Sequence, residues 1–166
     1  MRAAGLCLSL ALMAQPAAAD PLESFGTAMK YGLPLAAAIC AERDDRLEDF
    51  AVRGVLQAAI VLGMKSYFDG RPISRRPTGE GRGFPSGHAA AAFFGASDLA
   101  GKCFADDVAA GAASYGAAAL TGYSRIHAGE HTVPQVTTGA LIGFSFGAAS
   151  FGIGSEEVSF SVGMRF

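Results

Sequence analysis

GFPSGHAAAAFF, residues 83–94, joins a proline, a hydroxyl, a glycine and a histidine directly to an Ala/Phe run. The run favours helix, and Ser86 is a natural N-cap, so a helix is expected to begin there. Unpaired N–H groups at a helix start carry the positive end of the helix dipole and bind anions. Gly87 lets a ligand approach the backbone closely, and His88 falls in the first turn beside it. These residues suit either a capped helix with an incidental histidine or one wall of an anion site. The rest of the chain decides between them.

Outward from this stretch the chain reads as helical. Residues 22–41 are mostly apolar, with Pro34 expected to bend or interrupt them. The cluster ERDDR, 42–46, reads as a connection in which Asp44 or Asp45 caps the next helix. Residues 47–68 place Leu47, Phe50, Ala51, Gly54, Val55, Ala58, Val61 and Leu62 on a helical stripe. Glu48, Asp49, Arg53 and Gln57 lie off that stripe, and Leu56 and Ile60 widen it, so the second half is expected to be the more buried. Residues 69–85 hold four Gly and three Pro and form an irregular loop. Helices are expected over Ser86 to about Lys102, 105–123 and about 132–150. Val158, Phe160, Val162, Met164 and Phe166 alternate at a strand period. The expected fold is all-α, a compact bundle of about five helices over 20–155 with a short C-terminal β-strand in 156–166.

With 166 residues the chain makes one domain, and its net charge of −2 argues against nucleic-acid binding. Hydrophobic residues supply 51% and charged ones 17%, an apolar balance that suits contact with a membrane surface. Only His131–Ser155 is a long uncharged stretch, and Thr, Ser and Gly dilute it. The N-terminus reads as a secretory leader: Arg2, the apolar GLCLSLALMA, then QPAAAD with cleavage after Ala19. An exported protein follows, periplasmic in a bacterium and associated with the inner membrane if its apolar surface engages lipid. Cys40 and Cys103 remain in the mature chain, as a disulfide or as two buried thiols.

Three segments share one chemistry. Lys65, Arg76 and Arg125 are cations, while Ser86 and the Gly87 amide are donors, a set suited to a tetrahedral oxyanion. His88 and His131 flank it, and either is a candidate nucleophile with the other as proton donor. Neither cysteine has metal-ligand spacing to them, and the arginines repel a cation, so neither a metal nor another cofactor is expected. His127 reads as a rim residue.

With PSGH intact at 85–88, and Ser124-Arg125 separated from His131 by five residues, the sequence resembles the superfamily of type 2 phosphatidic acid phosphatases, bacterial class A acid phosphatases and vanadium haloperoxidases. That family's pattern is K-x6-RP, PSGH and SR-x5-H-x3-D, and the resemblance covers about residues 60–143. Two departures stand out. After Lys65, RP falls at 71–72, one residue early, and at 76–77, four late; the distance to PSGH favours Arg76, with Arg71 in reserve. Arg75 and Arg82 then read as solvated or substrate-edge charges. Gln135 stands where the family has Asp; its carbonyl still accepts the imidazole N–H but adds no charge. Dolichyl-diphosphate phosphatases and glucose-6-phosphatases also carry Gln there.

The resemblance implies that His131 attacks phosphorus to form a phosphohistidine, oriented by Gln135, while His88 protonates the leaving oxygen. Lys65, Arg76, Ser86, Gly87 and Arg125 would hold the equatorial oxygens. The implied substrate is a phosphorylated lipid or a small phosphoester. A vanadate-dependent haloperoxidase and a non-catalytic phosphate- or lipid-binding member are the alternatives.

Overall fold

The computed structural model describes residues 20–153 and 158–162. The expected leader lies outside the described residues, as do Met164 and Phe166. Five helices, α1 (Pro21–Arg43), α2 (Leu47–Tyr67), α3 (Gly87–Asp98), α4 (Val108–His127) and α5 (Val133–Ala148), form the bundle. The expected helical fold is thus present. Two strands, β1 (Ala149–Ile153) and β2 (Val158–Val162), pair antiparallel with Phe151 opposite Phe160.

Helix α3 is the centre, packed on α5, α1 and α4. Its Ala92, Phe94 and Ala96 join Leu33, Ala37, Phe50, Leu99 and Ala118 in the main core. Small residues allow this closeness. A Cβ on Gly139, Gly143 or Gly147 of α5 would collide with the carbonyl oxygen of Ser86, Ala90 or Phe94, so this ridge lays α5 directly on the α3 backbone.

Several boundaries differ from expectation. Helix α1 runs through Pro34 to Arg43, capped by the Asp20 side chain, which accepts from the Leu22 amide at 2.7 Å. Gly95 fits against the Leu33–Pro34 backbone where the proline removes an N–H. Neither Asp44 nor Asp45 caps α2; Arg46 occupies that position without a side-chain cap bond. Beyond Asp98, α3 widens into a π-helical stretch, Leu99–Cys103, instead of running to Lys102 as α-helix. Asp107 caps α4, which continues past residue 123 so that Ser124 and Arg125 lie on it. Helix α5 stops at Ala148, because the Ala149 carbonyl is held by Lys102 at 2.7 Å and the Phe151 amide by Asp49 at 2.7 Å.

The reading of α2 is overturned in part. Phe50 and Val61 of the expected stripe are buried, but so are Arg53 and Gln57, whereas Leu47, Val55, Leu56, Ile60 and Leu62 are exposed. A buried carboxylate explains the inversion: Asp98, fully buried at the end of α3, receives Arg53 at 2.7 Å and Lys102 at 3.2 Å. Arg53 also binds Asp49 at 2.8 Å and the Phe146 and Gly147 carbonyls, so its donors are matched where they are dehydrated. Cys40 and Cys103 are joined, tying α1 to the π-helical stretch, and Arg46 lies over both sulfurs.

Arg53→Met should therefore destabilise by about 3–5 kcal/mol in urea denaturation, since Asp98 loses its buried partner. Adding Asp98→Asn should recover part of that loss.

Candidate active site

The PSGH segment enters α3 as expected. Ser86 is fully buried; its side chain accepts from the Ala89 amide at 3.5 Å, and its own amide donates to the Gln135 carbonyl at 2.9 Å. Gly87 begins the helix, and a Cβ there would lie 3.9 Å from Lys65 Cε, so Lys65 reaches from the end of α2 to the mouth of α3. Lys65 Nζ donates to the Arg82 carbonyl at 2.9 Å.

The loop between α2 and α3 folds on itself around a 3-10 turn at Pro72–Ser74. Gly83 donates to the Ser74 carbonyl at 2.8 Å and Arg76 to the Glu80 carbonyl at 2.7 Å. This folding separates the two arginines. Arg76 points to the end of α4, with Nη1 2.8 Å from Glu130. Arg71 instead stacks on Tyr67, 4.4 Å from the ring centroid, and is exposed. Arg75 and Arg82 are exposed; Arg82 donates to Ser66 and lies 3.9 Å from Asp69.

Arg125, near the end of α4, is buried, with Nη1 3.1 Å from Glu23 of α1 and Nη2 3.9 Å from Glu130. The carboxylates take terminal nitrogens only. The Nε atoms of Arg76 and Arg125 are buried and unpartnered among the described residues. Buried donors of this kind ordinarily have partners, and two on converging guanidinium groups suit a shared oxyanion.

After α4 the chain turns at Gly129, with φ of +69°, and both Glu130 and His131 donate their amides to the Arg125 carbonyl. His131 is buried, its Nδ1 3.1 Å from Gln135 Oε1. The orientation of the Gln135 amide follows from its other bonds: Nε2 donates to the Ile73 carbonyl at 2.9 Å and the Arg75 carbonyl at 2.8 Å. Oε1 must therefore face His131, so Nδ1 carries the proton and Nε2 the lone pair.

Charge and burial act together on both histidines. Dehydration, followed by Lys30, Arg125, His131 and Lys65, pushes His88 down to about 3. Dehydration lowers His131 to about 4 against the opposing bond from Gln135, with Lys65, Arg76 and Arg125 adding to the fall. Dehydration and the neighbouring Arg76 also bring Lys65 down to about 8. The eight residues singled out in the sequence thus meet at one end of the bundle. His127 lies at its rim, 3.2 Å from Asp20. Glu23, Lys30 and Glu130 also meet there and were not singled out. Glu130 adjoins His131 in the chain, a readable signal, whereas Glu23 and Lys30 arrive from a distant helix.

Cys40, Asp44 and Cys103 bring potential metal-ligand atoms within 4.8 Å of one another. The sulfurs are bonded to each other and face Arg46, so this donor set does not fit a cation.

Comparison with known proteins matches residues 50–158 to the family model described as the PAP2 superfamily. The chain is 35% identical to a lipid A 4'-phosphatase of Helicobacter pylori strain J99, over 86% of this chain and 79% of that protein. It also resembles the crystal structure of Aquifex aeolicus LpxE with a TM-score of 0.63 and 28% identity, covering 78% of this chain and 86% of that one.

Sulfate, a tetrahedral dianion that does not titrate near neutrality, tests the cluster. Its binding by calorimetry should weaken as pH rises through about 8, where Lys65 loses its charge. Lys65→Arg should move that fall to higher pH. Unchanged wild-type affinity well above that pH would remove Lys65 from the anion site.

Proposed function

The chain belongs to the PAP2 superfamily and is a phosphoric ester hydrolase, and from that premise we propose that it dephosphorylates a lipid-linked phosphomonoester or diphosphate through a phosphohistidine, without a metal. The observation that carries this reading is the pair of buried, unpartnered Nε donors of Arg76 and Arg125 beside a histidine whose Nδ1 is engaged by Gln135.

In the first step His131 Nε2 attacks phosphorus, the bond to the leaving oxygen breaks, and His88 gives that oxygen its proton. In the second, His88 takes a proton from water, the resulting hydroxide attacks phosphorus, and the N–P bond breaks to release phosphate and restore His131. Lys65, Arg76, Arg125, Ser86 and the Gly87 amide stabilise the equatorial oxygens, the main source of rate in phosphoryl transfer. His88 is neutral at pH 7 in the unliganded protein, because burial and the cations disfavour its charge. A bound phosphate dianion would offset Lys30, Arg125 and Lys65 and so raise its proton affinity.

A lipid substrate is supported by the relatives' names and by the apolar surface of α2, where Val55, Leu56, Ile60 and Leu62 are exposed along one helix. Among the described residues no helix is long and apolar enough to cross a membrane. The exposed apolar face of α2 favours work at a membrane surface, and the leader-like N-terminus favours the periplasmic face of the inner membrane.

Rapid-quench trapping with labelled substrate tests the chemistry. His131→Ala should abolish both turnover and the acid-labile phosphoenzyme. His88→Ala should lose alkyl phosphates almost completely yet still form phosphoenzyme from nitrophenyl phosphate, whose leaving group needs no proton. Phosphoenzyme that survives His131→Ala but vanishes in His88→Ala would reverse these roles.

Arg76→Ala should lower kcat/KM by about 10²–10³, as for loss of one preorganised contact. Arg71→Ala should change it little. Equal small effects would mean that neither arginine meets the reacting phosphate.

A further inference from the structure

Two guanidinium groups that converge on one anion repel each other and splay unless something holds them. Among the described residues Glu130 is the carboxylate that stands between Arg76 and Arg125, at 2.8 and 3.9 Å. Its backbone is fixed as firmly as its side chain. The Glu130 amide donates to the Arg125 carbonyl at 3.0 Å, the same oxygen that receives the His131 amide at 3.1 Å. The turn that sets the nucleophile candidate therefore also sets this carboxylate.

The pattern of occupied nitrogens gives the contact its meaning. Glu130 takes Nη1 of Arg76 and approaches Nη2 of Arg125, while Glu23 takes Nη1 of Arg125. Carboxylates thus engage the ends of the guanidinium planes and leave each Nε unpartnered. A competitor for the phosphate seat would be expected to cover those inner donors. Glu80 also comes within 3.7 Å of Arg76, but it is largely exposed and serves as a comparison.

We propose that Glu130 is a positioning residue that couples Arg76 to Arg125 and holds their Nε edges toward the transferred phosphate. This rests on the phosphatase reading above. Glu130 touches no reacting atom in this role and acts through the two arginines.

The test uses the full-length protein and two readouts, kcat and KM with a phosphomonoester, and calorimetric binding of orthovanadate. Vanadate imitates the trigonal transition state and reports the site without turnover. Glu130→Gln keeps the shape and removes the charge. It should lower kcat and weaken vanadate binding together, by roughly 10- to 100-fold, the range seen when a supporting partner of a functional group is lost. Glu80→Gln should leave both unchanged. In a double-mutant cycle, Glu130→Gln should have little further effect once Arg76 is Ala, because its influence passes through that side chain. Full additivity, unchanged values, or tighter vanadate binding with kcat intact would each overturn the proposal, the last by making Glu130 a competitor for the site. Thermal denaturation of each variant separates these outcomes from misfolding, and Glu130→Asp replaces Glu130→Gln if the latter does not fold; its shorter carboxylate should weaken vanadate binding too. Vanadate binding without turnover in the wild type would count against the hydrolase reading alone, while the variants still decide the role of Glu130.

Discussion

One buried residue, Gln135, ties together three of the segments that build the site. Its carbonyl accepts from His131 and from the Thr132 amide, its nitrogen donates to Ile73 and Arg75, and its backbone carbonyl receives the Ser86 amide. The loop bearing Arg76, the start of α3 and the turn bearing His131 are therefore tied to a single residue. Such a network is worth most when every member is satisfied, and this one is. A carboxylate in its place would present oxygen to the Ile73 and Arg75 carbonyls, with no donor for either. The two departures from the family pattern, Gln135 and the later Arg76, are thus one structural solution. The longer loop curls back, its carbonyls meet the amide, and Gly83 leaves room, since a Cβ there would lie 2.8 Å from Gln135 Oε1.

The opposite end of α3 is built by a different logic. Asp98 places negative charge where the helix dipole is already negative, an unfavourable position without compensation. Arg53, Arg46 and Lys102 surround it, and their remaining donors hold the end of α5 and the first residues of β1. The disulfide and the ion cluster lie together there. One helix thus joins an end fixed by charge pairs and a crosslink to an end whose cations keep unpartnered donors.

Local signals made much of this legible. Ser86 as a cap, the glycine-rich loop and the motif spacings depend on a few neighbouring residues, and each lies where the sequence put it. The distance to PSGH also favours Arg76 over Arg71, and the fold brings Arg76 to Glu130 while Arg71 stacks on Tyr67. The orientation of α2 was not, because periodicity assumes that apolar residues face inward. Arg53 faces inward since Asp98, forty-five positions away, needs a partner, and no local pattern carries that demand. The extended conformation at Ala149 was hidden for the same reason: GAASFGI is helix-compatible in isolation, and contacts from Asp49 and Lys102 select the strand. Glu23 and Lys30 went unnoticed because α1 carries no motif and reaches the site only through packing.

The electrostatics of the cluster supply its last constraint. A site crowded with cations binds phosphate well but strips protons from the histidines that must move them. His88 and His131 are both held far below the ordinary imidazole range. For His131 in its proposed role this is useful, since a nucleophile must keep its lone pair. For His88 in the proposed role of general acid it is a handicap, and a bound phosphate dianion would offset the share that comes from the neighbouring cations. By reciprocity, a dianion that raises the proton affinity of His88 is bound more tightly by the same factor when His88 is protonated. Proton and phosphate would thus be taken up together. In the proposed mechanism the acid would thus gain its charge as the phosphate arrives, and the low dielectric at its buried position would strengthen that coupling.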